Sequence, residues 1–231
     1  MTAAARPGRS TIAFFDVDET VIAEKSLIDF WRHWTARHPA RIAPGLPDLR
    51  AEAAATRDRE ALNRSYYRRF AGVPLAVLAA AGQRWFDGYR RGAAAFMSAA
   101  VDAVAAHRAA GREVVLVSGS MRPLLSPLAE ELGASAVVCT ELVVGPDGVL
   151  TGEVHRPMIG EAKAEAAVRL MRERGADPRH CYAYGDHESD LALLHAVGRP
   201  AVVGGSPTLR EEAERLGWPV APARRGPLES M

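Results

Sequence analysis

The most informative segment of the chain is Thr11-Ile12-Ala13-Phe14-Phe15-Asp16-Val17-Asp18-Glu19-Thr20. A short apolar run that ends in carboxylates predicts a buried strand that delivers acidic side chains at its carboxyl end. Since side chains alternate along a strand, Asp16 and Asp18 leave it on the same side. Two such carboxylates roughly 4 Å apart repel each other by about 4 kcal/mol at an effective dielectric near 20. A divalent cation such as Mg²⁺ would remove that repulsion, although a solvated acidic loop is as typical of a bare Asp-x-Asp pair.

Length and composition are those of an ordinary soluble globular protein. The chain has 231 residues, of which 48% are apolar and 25% charged. That is enough for one large domain, or for a core domain with a smaller insert. The formal net charge of +1 gives no electrostatic reason to bind nucleic acid or an anionic membrane surface, so we expect neither as a partner.

The cysteines and the apolar runs indicate a cytoplasmic location. Cys139 and Cys181 lie in apolar segments and form no CxxC pair, so we expect buried free thiols in a reducing compartment. Residues 1–10 contain no apolar core, which predicts a flexible N-terminal segment rather than a secretory signal. The longest apolar run, residues 75–81, is too short to cross a bilayer.

Residues 25–92 predict an all-helical insert between the first and second strands. Its first helix has an apolar face that repeats at spacings of three and four, and prolines and a glycine then interrupt it. Residues 51–70 and 75–91 predict two further helices. The apolar face consists of Leu27, Phe30, Trp31 and Trp34, and the interrupting residues are Pro39, Pro44, Gly45 and Pro47.

Strands and helices alternate in the rest of the chain, which predicts βαβ units and a mainly parallel sheet. A hairpin is predicted around Gly145-Pro146-Asp147-Gly148. The predicted strands after the insert are 113–117, 136–139, 181–184 and 201–203, and the predicted helices are 96–110, 123–132, 161–174, 189–197 and 208–216.

Polar and charged side chains follow three of the predicted strands. Asp16 and Asp18 follow the first strand, Ser118 the second and Asp186 the fourth, and Lys163 opens the helix before that fourth strand. The carboxyl ends of parallel strands share one edge of a sheet, and ligands bind there in open α/β folds. We therefore expect these acids, the hydroxyl and the lysine to meet in one pocket.

Some of these residues, taken alone, have a plainer interpretation. Ser118 would cap a helix, Lys163 would be a solvated helix lysine, and Asp190 would be a first-turn acid stabilised by the helix dipole. We interpret His187, in the loop between Asp186 and Asp190, as a solvated histidine. The aromatic residues of the insert are more typical of a helical core than of a substrate cage.

Four short motifs occur in order along the chain. They are Phe15-Asp16-Val17-Asp18-Glu19-Thr20, Val117-Ser118-Gly119-Ser120, Gly160-Glu161-Ala162-Lys163 and Tyr184-Gly185-Asp186-His187-Glu188-Ser189-Asp190. In this order they resemble the haloacid dehalogenase superfamily, most closely the subclass IB hydrolases similar to phosphoserine phosphatase, over about residues 11–220. The resemblance implies an α/β fold whose Rossmann-like, mainly parallel sheet is flanked by helices and carries an inserted all-helical cap. The implied parts are a flexible segment at 1–10, the core at 11–24 and 93–222, the cap at 25–92 and a C-terminal tail at 223–231.

The resemblance also implies roles in the hydrolysis of a phosphate monoester. Asp16 would attack phosphorus as the nucleophile and carry an aspartyl-phosphate, and Asp18 would act as general acid and then as general base. Mg²⁺ would bind the Asp16 carboxylate, the Asp18 backbone carbonyl and the Asp186 carboxylate. Asp190 would orient the metal shell from outside.

A second group of motif residues would hold the phosphoryl group. Ser118 and the backbone N–H groups near Gly119 would bind its oxygens, and Thr20 would bind phosphate or brace the loop. Lys163 would offset the negative charge that builds on the equatorial oxygens in the transition state.

The chain departs from phosphoserine-specific relatives where those enzymes clamp the amino and carboxyl groups of serine. The clamping glutamate corresponds to Lys25, and the clamping arginine falls near Tyr66, with Arg64, Arg68 and Arg69 close by. Because a lysine repels an ammonium group, we expect Lys25 to contact the substrate and to favour a carboxylate or a second anionic group.

We therefore expect a cytoplasmic, monomeric or homodimeric, Mg²⁺-dependent phosphatase that acts on a small phosphorylated metabolite. One alternative is a phosphotransferase or phosphomutase on the same scaffold, which would need a second acceptor to compete with water. The other is a phosphometabolite-binding protein without turnover. The intact set of Asp16, Asp18, Ser118, Lys163 and Asp186 argues against that last alternative.

Overall fold

The computed structural model describes residues 10–41, 48–56 and 58–228. The strands are β1 Ile12–Phe15, β2 Phe96–Met97, β3 Glu113–Met121, β4 Ala136–Thr140, β5 Leu142–Val144, β6 Leu150–Val154, β7 Tyr182–Gly185, β8 Arg199–Val203, β9 Val220–Ala221 and β10 Arg225–Gly226. The α-helices are α1 Ser26–Arg37, α2 Leu49–Ala55, α3 Arg59–Arg68, α4 Leu75–Tyr89, α5 Ser98–Ala109, α6 Arg122–Leu132, α7 Glu161–Glu173, α8 Leu191–His195 and α9 Pro207–Leu216. Short 3-10 helices cover Pro39–Arg41, Pro178–His180 and Glu188–Asp190.

A parallel sheet of six strands, in the order β4-β3-β1-β7-β8-β9, forms the centre of the fold. All four residues of β1 are fully buried, as a strand covered on both faces requires. Ala13 and Phe15 belong to one buried apolar cluster, and Ile12 and Phe14 belong to another. This alternation fits a sheet with helices on both faces and confirms the predicted α/β fold class.

The described residues of the helical segment 25–92 form no separate apolar cluster. Phe30, Trp34 and Phe70 pack as aromatic neighbours, with ring centroids 5.4–6.1 Å apart. They belong to the same buried cluster as Phe15 of the central strand. The aromatic residues here therefore pack mainly as core, as the sequence predicts, while the domain boundary at 25–92 stays a prediction.

Several element boundaries differ from the sequence-based prediction. Phe96 and Met97 form a strand instead of the start of a helix, and this strand pairs antiparallel with Arg225–Gly226. The helix predicted over 51–70 is interrupted, because Asp58 starts a new helix by accepting a hydrogen bond from the Ala61 N–H at 2.9 Å. Three predictions fall on residues outside the described ranges. They concern most of the N-terminal segment (1–9), the helix-breaking positions 44, 45 and 47, and the last part of the tail (229–231).

None of the described helices combines the length and the apolar character that crossing a membrane would require. This finding agrees with the absence of a long apolar run in the sequence.

The helical segment contacts the core closely where α4 crosses α6. A Cβ on Gly82 in α4 would lie 2.1 Å from the Pro123 carbonyl oxygen of α6. Gly88, in the same helix, has open space at the corresponding position. Only a glycine at 82 therefore allows the observed separation of the two backbones.

We predict opposite stability changes for alanine at these two glycines. Gly82→Ala should lower the free energy of unfolding by about 1–3 kcal/mol, because the new methyl group must push α4 away from α6. Gly88→Ala should raise it by up to about 1 kcal/mol, since alanine is the better helix former. Urea denaturation of both variants tests this. Equal changes of the same sign would show that the crossing imposes no such constraint.

His107 is a buried histidine of α5 that the structure holds in the neutral form. Its Nδ1 lies 3.1 Å from Nη1 of Arg112, which can only donate, so Nδ1 accepts and Nε2 carries the proton. Nε2 lies 2.9 Å from the Tyr184 hydroxyl, to which it therefore donates. Burial, and then the charge of Arg112, lower the pKa of His107 from 6.5 to about 4.

This lowered pKa makes stability depend on pH in a defined window. Between pH 6.5 and about pH 4 His107 is protonated in the unfolded chain but neutral in the folded chain. The contribution of the neutral His107 to the free energy of unfolding is therefore complete above pH 6.5 and decreases as the pH falls through this window. His107→Gln should show a smaller loss of melting temperature than the wild type between pH 6.5 and pH 4. If the melting temperatures of the wild type and His107→Gln fell equally with pH across this window, the assignment would be contradicted.

Candidate active site

Three adjacent strands of the sheet bring the predicted site residues to one edge. Asp16 follows β1, and its N–H donates to the Tyr184 carbonyl of β7 at 2.9 Å. Asp186 follows β7, and Ser118 lies in β3 on the other side of β1. The predicted residues that line the resulting cavity of about 260 Å³ are Asp16, Asp18, Lys25, Ser118, Gly119, Lys163, Asp186 and Asp190. Thr20 is fully buried behind this wall.

Lys163 joins two carboxylates at the centre of the site. Its Nζ lies 2.6 Å from an oxygen of Asp16 and 2.6 Å from an oxygen of Asp190. All three side chains are more than nine-tenths buried. Burial by itself lowers the pKa of Lys163, but the charges of Asp16 and Asp190 outweigh it and raise the pKa above its ordinary value. The lysine is therefore a fixed positive charge beside the predicted nucleophile.

Thr20 lies between the carboxylates of two neighbouring strands. Its hydroxyl oxygen is 3.2 Å from Oδ2 of Asp16 and 3.1 Å from Oδ1 of Asp186. A hydroxyl has one proton, so it donates to one of these oxygens at a time. This arrangement corresponds to the bracing role predicted for Thr20, and its contact with phosphate stays a prediction.

Asp16, Asp186 and Asp190 form a cluster of carboxylates. Each offers an oxygen within 4.8 Å of the other two. Burial, and then the charge of Asp190, raise the pKa of Asp16 well above its usual range and that of Asp186 to about 6. Lys163 supplies one positive charge to two of these three acids, Asp16 and Asp190. A hard divalent cation with oxygen ligands fits this excess of negative charge, and the donor set therefore suits Mg²⁺.

Asp190 differs from the other two acids because both of its oxygens already have donors. Oδ1 accepts from Lys163, and Oδ2 accepts from the His187 N–H at 3.3 Å. His187 in turn accepts from the Ser189 N–H through Nδ1 at 3.1 Å, which closes a reciprocal cap on the short helix. A Cβ on Gly185 would lie 2.7 Å from that of Asp190, so the glycine allows this close approach. Asp190 thus supports Lys163, and its place outside the metal ligands stays a prediction.

Asp18 faces the helical segment. Its Oδ1 accepts a hydrogen bond from the N–H of Ser26, the first residue of α1, at 3.0 Å. Ser26 is fixed in turn by the hydroxyl of Ser120, 2.9 Å away. Burial raises the pKa of Asp18, and the hydrogen bonds from Ser26 oppose that rise. Asp18 therefore links the segment that follows β1 to the start of the helical segment.

The irregular end of β3 at Ser118 is contacted by the helical segment, which the motifs do not reveal. Ser118 accepts from the Ser120 N–H at 3.0 Å instead of capping a helix. The Gly119 carbonyl accepts from the Asn63 amide and from the Tyr67 hydroxyl, both at 2.8 Å. Asn63 and Tyr67 lie on α3, more than 50 residues before Gly119 in the sequence. No local pattern indicates such a contact.

Arg59 makes a second contact that sequence reasoning missed. It begins α3, and its Nη1 lies 2.7 Å from His187 Nδ1 and 3.3 Å from the Ser189 hydroxyl. His187 is therefore partly buried and bound by Arg59, not simply solvated as its sequence position suggested. The contact places a helix of the segment 25–92 over the loop between Asp186 and Asp190.

Lys25 lies at the rim of the cavity. Its ammonium group is 3.4 Å from a carboxylate oxygen of Glu19, and about half of each side chain is exposed. Glu19 has a φ of +63° and is the sole non-glycine with positive φ in the described ranges. The structure thus places Lys25 beside the substrate space, and its contact with a substrate stays a prediction.

The fold and these residues define an α/β enzyme whose site lies at the carboxyl edge of a parallel sheet. The family model for haloacid dehalogenase-like hydrolases matches residues 13–195. The chain therefore belongs to the haloacid dehalogenase-like hydrolases, and the resemblance stated from the four motifs is confirmed.

Three known proteins illustrate the similarity. A probable phosphatase of Mycobacterium tuberculosis is 35% identical over 93% of this chain and 76% of its own length. The inhibition of morphological differentiation protein of Streptomyces azureus is 46% identical, over 49% of this chain and 41% of that protein. The chain thus matches less than half of the Streptomyces protein. A substrate-bound phosphoserine phosphatase has a TM-score of 0.68 at 18% identity, covers 95% of this chain and 96% of its own, and shows the same fold.

We predict that removing Lys163 alone destabilises the protein more than removing it together with a partner acid. Lys163→Met leaves the buried Asp16 and Asp190 carboxylates without their cation and should cost about 3 kcal/mol or more. Adding Asp190→Asn removes one of the orphaned charges, so the double variant should recover part of that loss. Chemical denaturation without divalent ions gives both values. A double variant less stable than Lys163→Met would contradict this account.

Proposed function

We propose that this protein is a Mg²⁺-dependent phosphomonoesterase that hydrolyses a small phosphorylated metabolite through an aspartyl-phosphate on Asp16. The observation that carries the proposal is the buried Lys163 between Asp16 and Asp190, next to the Asp186 carboxylate. Membership of the hydrolase family and the name of the Mycobacterium tuberculosis relative support it.

The first half of the proposed reaction transfers the phosphoryl group to the protein. A carboxylate oxygen of Asp16 attacks phosphorus, and the bond from phosphorus to the alcohol oxygen breaks. Asp18 donates a proton to that leaving oxygen. The raised pKa of the buried Asp18 favours the protonated form that this step needs.

The second half returns the nucleophile to its free state. Asp18, now a carboxylate, takes a proton from water as the water oxygen attacks phosphorus. The bond between phosphorus and Asp16 breaks, and inorganic phosphate leaves. Residues of the helical segment line one side of the cavity, so this water would enter a space bordered by α1, α2 and α3.

The remaining predicted residues would hold charge in place. Ser118 and the N–H groups near Gly119 bind phosphoryl oxygens, and Lys163 offsets the charge on them. The carboxylates of Asp16 and Asp186 and the backbone carbonyl of Asp18 would hold Mg²⁺, which supplies Lewis-acid stabilisation of the same charge when it is bound. Lys25 at the rim would favour substrates with a second anionic group.

We predict that Asp16→Asn abolishes turnover and leaves the fold intact, because asparagine has the shape of aspartate and lacks its nucleophilic oxygen. The rate with an aryl phosphate and Mg²⁺ should fall at least about a thousandfold, and EDTA should suppress the wild-type rate. Asp102→Asn, an exposed change on α5, serves as the matched control and should keep the wild-type rate.

The covalent step has its own readout. Acid quenching of the wild type during turnover should leave phosphate on the peptide that contains Asp16, and Asp16→Asn should show none. An Asp16→Asn protein that retains a tenth of the wild-type activity would refute the nucleophile assignment.

The two alternatives remain testable with the same assay. A phosphotransferase would deliver phosphate to an added alcohol faster than to water, and a binding protein would give no turnover at all. The intact set of acids and the paired Lys163 support turnover over binding alone.

A further inference from the structure

One polar group in the wall of the cavity has no partner. Tyr66 lies on α3, is 3% exposed and lines the cavity. Its hydroxyl makes no hydrogen bond with any residue in the described parts of the chain. Buried polar groups in folded proteins nearly always have a partner, so a lone hydroxyl beside a ligand cavity indicates that a ligand satisfies it.

The ring of Tyr66 is fixed by its neighbours. Trp31 and Tyr67 meet it edge-on at centroid distances of 6.3 and 5.3 Å, and Phe70 packs at 5.4 Å. The hydroxyl therefore has little freedom to turn toward a partner within the protein. Tyr67, the next residue on the same helix, does have one, because its hydroxyl donates to the Gly119 carbonyl.

Two charged residues near this wall neutralise each other. Glu52 lines the cavity, but one of its carboxylate oxygens lies 2.7 Å from Arg69. The Ser65 hydroxyl lies 3.2 Å from each of the two Glu52 carboxylate oxygens. The Arg69 side chain is 2% exposed and sits over the Trp31 ring. It is therefore a structural partner of Glu52 and does not offer a clamp for a substrate carboxylate.

Aliphatic side chains also line this side of the cavity, beside the polar Arg59 and Asn63 of α3. Residues of α1, α2 and α3 contribute aliphatic side chains, and a loop residue before α7 adds another. They are Leu27, Ile28, Leu49, Leu62 and Ile159. Binding of an alcohol against these residues is favoured by the burial of its hydrocarbon and disfavoured by the burial of an unpaired charge.

We propose that Tyr66 determines specificity, its hydroxyl donating a hydrogen bond to an acceptor oxygen on the part of the alcohol that packs against these aliphatic side chains, while a second anionic group of the substrate would lie at the rim beside Lys25. This inference rests on the proposed phosphatase function. Burial first, and then the charge of Asp18, keep the pKa of Tyr66 well above its ordinary value, so the hydroxyl stays a donor. Asp18 is the proposed acid for the leaving oxygen. Because its charge acts on the Tyr66 hydroxyl, that hydroxyl would lie on the leaving-group side of the cavity.

A set of isosteric esters tests this directly. Pentyl phosphate, 2-ethoxyethyl phosphate and 3-methoxypropyl phosphate have chains of equal length and differ in whether, and where, an ether oxygen replaces a methylene. The wild type should hydrolyse one of the two ether esters with a kcat/KM about tenfold above that for pentyl phosphate. In Tyr66→Phe this ratio should fall to nearly one.

Two further measurements separate recognition from a structural role. The melting temperature of Tyr66→Phe should equal or exceed that of the wild type, because no protein hydrogen bond is lost. Tyr67→Phe is the matched comparison. It loses the bond to Gly119, so it should lower the melting temperature and reduce turnover of the three esters by a common factor, with their ratio preserved.

The outcomes divide as follows. Equal rates for all three esters in the wild type, or an ether preference that persists in Tyr66→Phe, would overturn the specificity assignment. In either case Mg²⁺-dependent hydrolysis of p-nitrophenyl phosphate by the wild type would still support the phosphatase proposal. Absence of that hydrolysis in the wild type would overturn the proposed function, and the role of Tyr66 would fall with it.

Discussion

The buried ammonium group of Lys163 is the interaction on which the site depends. It lies 2.6 Å from both Asp16 and Asp190 and is the cation that allows these acids to remain close inside the protein. Without a positive charge between them, burial and mutual repulsion would drive the carboxylates to protonate or separate. Thr20 and Gly185 serve the same end, the first by bridging Asp16 to Asp186 and the second by leaving room for Asp190.

The sequence predicted those parts of the structure that depend on local patterns. The apolar run before Asp16 predicted the central strand, and the acids after two strands predicted where the site would lie. The contacts of Asn63 and Arg59 were not predicted, because they join α3 to loops that lie 56 and 128 residues further along the chain. The strand at Phe96 was mistaken for helix because its partner, Arg225–Gly226, lies near the other end of the chain.

The helical segment contributes more than a cover. Ser26 binds Asp18, Asn63 and Tyr67 hold the Gly119 carbonyl, and the cavity wall includes Tyr66. The segment also shares its apolar cluster with the central strand, and the glycine at 82 lets α4 lie directly against α6. In the proposed reaction the strand ends carry the phosphate chemistry, and in the proposed specificity the helices discriminate among alcohols.

The short pairing of β2 with β10 has a mechanical consequence. The chain leaves for the helical segment after Ala23 and returns at Ala95, and these two crossings are joined by hydrogen bonds from Ala23 to Ala95 and from Met97 to Val21. Arg225–Gly226 lines up beside the returning crossing. A rotation of the helices that separated these segments would have to break those hydrogen bonds and the pairing of β2 with β10. The described residues therefore tie the helical segment to the sheet at this crossing as well as at Arg59, whose Nη1 lies 2.7 Å from His187 Nδ1.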